Sequence, residues 1–212
     1  MIKVYTAIIG DIVKSRNLNK REQIQELLRK TLKEINETFK DCILSKFSII
    51  LGDEFQGLLK SPENSYLIIK EIDKAMYPVK IRFGVGIGSV STMIYENVGE
   101  MDGECFVRAR EAIKSAEEIG QNIFYISGNE EKDLCLNTIF LFIDSIKSSW
   151  KEKHFKRVFL YEKLESYEKV AEKEKVSKQM ISKMFKNIKY DKLKKAEKVI
   201  NSLLGSIYKV YE

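Results

Sequence analysis

The sequence predicts an α+β fold: a ferredoxin-like, palm-type sheet with helices over residues 1–128, followed by an all-helical helix-turn-helix domain over residues 129–212. Three observations carry that prediction. Strand and helix patterns alternate in the order β-α-β-β-α-β, with a further α-β, as far as Gly128. Strand patterns stop there. Charge divides along the chain as well: of 37 Lys+Arg and 31 Asp+Glu, 18 and 9 lie in residues 145–212, leaving 19 and 22 elsewhere. A net +9 on the tail against −3 on the rest marks two parts, the second either facing a polyanion or carrying a merely lysine-rich surface.

Each element follows from its own pattern. Residues 3–9 are an apolar strand running into Gly10-Asp11. Residues 19–38 form a long helix with Ile24, Leu27, Leu28, Leu32 and Ile35 at helical spacing. Residues 46–51 and 54–59 are strands joined by Gly52-Asp53, a pair suited to a tight hairpin. Residues 64–75 make a second helix after the Ser61-Pro62 start signal. In the strand at residues 79–88, Gly84, Gly86 and Gly88 alternate, which serves packing or the close approach of a nucleotide or second subunit. Residues 105–119 are a helix closed by Gly120, and residues 122–127 the last strand. Residues 130–151 open the helical part, with Trp150 as its anchor.

Composition narrows the function. Cys42, Cys105 and Cys135 are odd in number and far apart, which suits reduced thiols and excludes a zinc knuckle. No apolar run is long enough to span a bilayer, and the chain opens directly on a strand pattern without a signal peptide. A cytoplasmic protein without a membrane partner is expected. The lone His154 sits among lysines without a partner for a hydrolase triad, so a surface role is expected.

Asp11 and Asp53 each interrupt or end an apolar run, where a carboxylate is costly to bury alone. The strand order sets the first strand beside the hairpin, so the two carboxylates meet at one edge. Mg²⁺ or Mn²⁺ shared between them relieves their repulsion and suits phosphoryl or nucleotidyl transfer. The plainer alternatives are a hairpin turn at Asp53 and a cap at Asp11. After Asp11, the backbone N–H groups of Ile12, Val13, Lys14 and Ser15 at a strand-to-helix turn make a phosphate cradle. Side chains of Lys14, Ser15 and Arg16 add contacts to a triphosphate, and Gly52 joins the same nucleotide site.

The segments Ile9-Gly10-Asp11-Ile12-Val13-Lys14-Ser15, Ile50-Leu51-Gly52-Asp53-Glu54-Phe55 and Lys80-Ile81-Arg82-Phe83-Gly84-Val85-Gly86-Ile87-Gly88 fall in the order of class III nucleotidyl cyclase domains. Residues 103–116 and Phe124-Tyr125-Ile126-Ser127 resemble the last helix and strand of that domain. Leu51-Gly52-Asp53-Glu54-Phe55 is also similar to the diguanylate cyclase signature. Over nearly its full length the chain resembles the SatD family, a cyclase-like domain with a helix-turn-helix tail. The resemblance implies Asp11 and Asp53 as metal ligands and residues 12–15 as phosphate-binding backbone. It also exposes departures. Ile49 stands where cyclases carry a base-selecting lysine, and Val107 and Glu111 where they carry a transition-state asparagine and arginine. Arg108 or Arg110 is the candidate substitute on that helix.

In the tail, Val170, Ala171, Val176, Ile181 and Phe185 have the apolar spacing of a helix-turn-helix, with Ser177 as N-cap and Lys175 where glycine is usual. Ser177, Lys178, Gln179, Ser182, Lys183 and Lys186 are the expected DNA contacts, Gln179 and Ser182 to bases and the lysines to phosphates. A basic bundle used for dimerisation is the other reading. The closing helix, residues 193–210, buries its face in the tail or pairs two subunits. Taken together, these features predict a homodimeric cytoplasmic regulator that binds a nucleoside triphosphate with its metal and double-stranded DNA. The alternative is an active cyclase making a cyclic or linked nucleotide.

Overall fold

The computed structural model describes residues 3–14 and 21–209. Its strands are β1 (Tyr5–Ile12), β2 (Ile43–Leu51), β3 (Glu54–Leu59), β4 (Ile81–Gly88) and β5 (Ile123–Ile126). Its helices are α1 (Arg21–Thr38), α2 (Ser65–Met76), α3 (Glu104–Ile119), α4 (Glu130–Ser148), α5 (Glu152–Leu164), α6 (Tyr167–Glu174), α7 (Lys178–Asn187) and α8 (Tyr190–Lys209). The sheet order is β2-β3-β1-β4-β5, with β1 antiparallel to both β3 and β4, and β4 parallel to β5. The expected adjacency of first strand and hairpin is present. The main difference is at β1, which runs on to Ile12 instead of ending at Ile9.

Strand β1 is covered on both faces, which is why it reads as a continuous apolar run rather than an alternation. On one face lies α3. A Cβ on Gly84 would collide with backbone atoms of Ala109 and Ile113, and one on Gly86 with those of Cys105 and Ala109. These two glycines therefore seat α3 against the sheet, so the stripe serves internal packing. Ala109, Ala112 and Ala116 supply the matching small, fully buried positions on the helix. Leu28, Leu32 and Ile35 of α1 and Ile68, Ile69 and Ile72 of α2 are buried in the remaining core.

Both edge strands are closed by an asparagine side chain that imitates a neighbouring strand. Asn36 of α1 accepts from Phe47 N–H (2.8 Å) and donates to Phe47 C=O (2.9 Å) on β2. Asn137 of α4 accepts from Tyr125 N–H and donates to Tyr125 C=O, both at 2.8 Å, on β5. An open edge invites pairing with another chain, and these bonds occupy it. Beside Asn137, the Phe140 ring stacks on Tyr125 with centroids 5.4 Å apart and planes 7° from parallel.

Those contacts explain how the chain divides. One compact unit is Met1–Phe140 with Ile200–Glu212, and the other is Leu141–Val199. The expectation was a change at Gly128, but the first half of α4 contributes Asn137 and Phe140 to the β5 edge and so belongs to the sheet unit.

The second unit is helical. Trp150 is buried there, its ring 5.1 Å from Phe155 and its Nε1 donating to Ile188 C=O at 3.2 Å, as suits an anchor. Tyr161, Tyr167, Phe185 and Tyr190 form one ring cluster. His154 has a more specific role than a surface residue: its Nδ1 accepts from Lys151 N–H at 3.1 Å and caps α5. Burial, with Lys153, Lys151 and Arg157 nearby, pushes its pKa down. Between α6 and α7, Lys175 adopts a left-handed conformation (φ 53°), and the Ser177 hydroxyl accepts from Met180 N–H to begin α7.

Candidate metal and nucleotide site

The extension of β1 carries Asp11 into the sheet, where it pairs in register with Arg82 of β4. On the other side Gly10 pairs with Phe55, so Asp53, in the turn just before β3, arrives beside the same end of β1. The turn is tight because Gly52 takes φ +64°, a conformation that disfavours other residues. Asp11 and Asp53 thus lie on neighbouring strands at one end of the sheet, the adjacency that the strand order predicts.

The surroundings of Asp11 disfavour its ionised form. Asp11 is pushed from 3.8 up to about 6, first by burial and then by the charges of Asp53 and Glu54, with Arg82 opposing and Glu117 adding to the shift. The arginines present are largely committed. Arg110 of α3 donates through Nη1 to both oxygens of Glu54, at 2.6 and 2.7 Å. Arg82 pairs through Nη1 with Glu117 at 3.1 Å, while its Nε is buried without a partner among the described residues.

The other expected site residues divide. Arg108 faces elsewhere: Nη1 donates to the carbonyls of Ile87 (2.5 Å) and Ser127 (3.1 Å), and Nη2 pairs with Glu104 at 2.7 Å. It fastens α3 to the ends of β4 and β5, whereas Arg110 pairs with Glu54, next to Asp53. Ile12 is a buried β1 residue paired with Ile81, not part of a loop. Val13 spends its N–H on Lys80 C=O at 2.9 Å, which removes that amide from the expected cradle. Lys14 lies in the turn after β1 with φ 57°. Ser15 and Arg16 lie outside the described residues. Gly52 C=O accepts from the Gln25 side chain at 3.2 Å, and Arg21 lies beside this glycine.

Sequence reasoning missed Arg82, Glu117, Arg21 and Gln25. Period-two alternation was a usable signal for Arg82, because it shares a face of β4 with Gly84 and Gly86. Nothing local distinguishes Arg21 or Gln25, which reach the hairpin only because α1 begins there.

The donor chemistry fits a hard divalent cation. Asp11 and Asp53 offer carboxylate oxygens in a place with excess negative charge. No group of three or more His, Cys, Asp and Glu side chains forms a ready cage among the described residues. Mg²⁺ does not require one, because it usually keeps several waters and is held by one or two carboxylates plus substrate phosphates.

On α7 in the other unit, Gln179, Ser182, Lys183 and Lys186 are exposed. Lys178 is engaged, forming an ion pair with Glu168 of α6 that holds the Glu168 carboxyl down at about 2. Ser177 is used as the α7 cap. No helix among the described residues is long and apolar enough to cross a membrane.

The fold and site define a mixed α+β protein whose five-stranded sheet presents two aspartates at one end. Residues 5–205 match the SatD family, and the chain belongs to it. No functionally curated protein matches the sequence. Among solved structures, the chain is similar to a bacterial light-regulated adenylyl cyclase, with 10% identity, TM-score 0.42, and coverage of 59% of this chain and 76% of that one. It is similar to the guanylate cyclase domain of RhGC from Catenaria anguillulae, solved with GTP, at 12% identity and TM-score 0.42, covering 54% and 74% of the two chains. It is also similar to the diguanylate cyclase SiaD from Pseudomonas aeruginosa, solved with its activator SiaC, at 12% identity and TM-score 0.44, covering 59% and 50%.

Proposed function

We propose that this protein is a homodimeric cytoplasmic regulator in which the sheet unit binds a nucleoside triphosphate with Mg²⁺ or Mn²⁺, and a helix-turn-helix in the tail binds double-stranded DNA. One observation carries the first half: Asp11 is held at about 6 by burial and by Asp53 and Glu54, a surplus of carboxylate that a divalent cation relieves. The metal supplies positive charge to both the carboxylates and the triphosphate. Asp11 and Asp53 hold and orient it. Lys14, in the turn after β1, and Arg21, beside Gly52, are the cations near enough in the chain to meet phosphate oxygens.

The second half is supported by α6 and α7, whose buried Val170, Ala171, Ile181 and Phe185 match the helix-turn-helix spacing. The left-handed Lys175 fills the turn position for which glycine is usual. Exposed Gln179, Ser182, Lys183 and Lys186 face outward for the duplex.

Titrating the full chain into fluorescent ATP and GTP analogues, with and without Mn²⁺, tests the nucleotide site. Metal-dependent binding that disappears in Asp53→Ala is expected. Binding indifferent both to Mn²⁺ and to Asp53→Ala overturns the proposal. The active-cyclase reading draws on one observation, the Arg110 guanidinium at Glu54, next to Asp53. Chromatography of the same mixtures decides it, since a cyclic or linked product lost in Asp53→Ala would make the protein an enzyme.

A further inference from the structure

The tail offers an outward face whose chemistry is more selective than positive charge alone. Helix α7 carries three lysines and no acidic residue. Its buried side is Ile181, Met184 and Phe185. The opposite side presents Gln179, Lys183 and Lys186, flanked by Ser182 and by Met180. Met180 is 51% exposed and is the large apolar side chain left on that surface of the helix. The Gln179 side chain has no hydrogen-bond partner among the described residues, whereas that of its neighbour Lys178 is already paired with Glu168. Gln179 and Met180 are the second and third residues of the helix, at the N-terminal end that enters the major groove in helix-turn-helix docking.

We propose that Gln179 and Met180 are the specificity-determining residues of this helix and that they read an A·T-containing step in the major groove. The inference rests on the DNA-binding reading above. A glutamine amide matches adenine in both directions, donating to N7 and accepting from N6–H₂, and an apolar side chain packs on the thymine methyl. Those are two chemistries that a major groove displays side by side at an A·T pair. Met180 exposed to water gains nothing, but against a thymine methyl it is desolvated by a matching surface. Lys183 and Lys186 have a different task. They neutralise phosphates, so they set affinity and its salt dependence without choosing a sequence.

The test uses the full chain in two steps. Fluorescence anisotropy against random-sequence duplex DNA, from about 50 to 200 mM salt, first asks whether the tail binds DNA at all. Enrichment from a randomised duplex pool, followed by sequencing, then asks what it prefers. The expected result is salt-sensitive binding with A·T pairs enriched at fixed positions. Gln179→Ala and Met180→Ala should each reduce discrimination between enriched and scrambled duplexes about tenfold, leaving the salt slope unchanged. A Lys183→Ala/Lys186→Ala double variant should weaken binding to every duplex and flatten the slope by about two. All four positions are exposed, and circular dichroism of each variant checks that the helices persist. No binding to any duplex at the lowest salt removes the DNA-binding reading and this inference with it. Binding without A·T enrichment, or enrichment unchanged in both single variants, removes the inference and leaves DNA binding standing.

Discussion

Two polar groups in the sheet unit, one buried and one half-buried, meet opposite fates. At the β5 edge, Asn137 is almost fully buried, yet both ends of its amide are matched by the Tyr125 backbone. At the end of β1, half-buried Asp11 faces Asp53 and Glu54 and is held at about 6. One polar group completes the fold. The other opposes it when ionised, and either a proton or an additional cation relieves the repulsion. That contrast separates a polar group whose partners the fold supplies from one whose charge the fold disfavours.

The strongest way to break the comparison is Asn137→Ala. It leaves the N–H and C=O of Tyr125 buried without partners, and urea unfolding should register a loss of about 3 kcal/mol. A loss below about 1 kcal/mol would mean that water replaces the amide and that the β5 edge is not closed as described.

Asp11→Asn should act in the opposite direction. The folded-state pKa of Asp11 is raised from 3.8 to about 6, so its proton favours the folded form. That contribution is fully present below about pH 4 and is lost as pH rises through about 6. At pH 8 in EDTA the ionised carboxylate therefore destabilises the protein, and the asparagine variant should be more stable by about 2 kcal/mol. Near pH 4 the gap should close. Unfolding curves at both pH values measure it, and a variant less stable at pH 8 contradicts the electrostatic picture. Adding Mn²⁺ at pH 8 should raise the melting temperature of the wild type and not of the variant.

Asn36→Ala sharpens the comparison at the other edge of the sheet. Asn36 is only half-buried, so water can reach the Phe47 peptide, and the cost should fall to about 1 kcal/mol. Equal losses at Asn36 and Asn137 would show that burial is not the deciding variable. The smallest effect is expected at Thr6, whose hydroxyl is buried on β1 without a partner among the described residues. Thr6→Val removes an uncharged orphan and should leave stability within about 0.5 kcal/mol or raise it slightly. A large loss there would reveal a partner for the hydroxyl.

Much of this was legible from local pattern. The apolar runs, the Gly52-Asp53 turn and the Gly120 cap mark elements whose bounds move by only a few residues, because period and turn chemistry act within one element. Asp11 and Asp53 were legible as a pair because a carboxylate in an apolar strand is conspicuous. The phosphate cradle was less so. The rule that a strand ends at its first glycine and acid fails here, since β1 continues to Ile12 while Val13 bonds to Lys80. Arg108 and Arg110, two residues apart on one helix, were indistinguishable in sequence. Only the fold separates a guanidinium committed to backbone carbonyls from one bound to Glu54.

The sequence alone determined the order of strands and helices, the two aspartates and the basic helical tail, since each depends on neighbours within a turn or two. Tertiary structure decided which charges meet. Arg82 opposite Asp11 and Arg110 on Glu54 join residues far apart in the chain, and each asparagine closing a sheet edge joins a helix to the strand next to it in sequence. Burial and Coulomb interactions act through space, and no spacing along the chain encodes them.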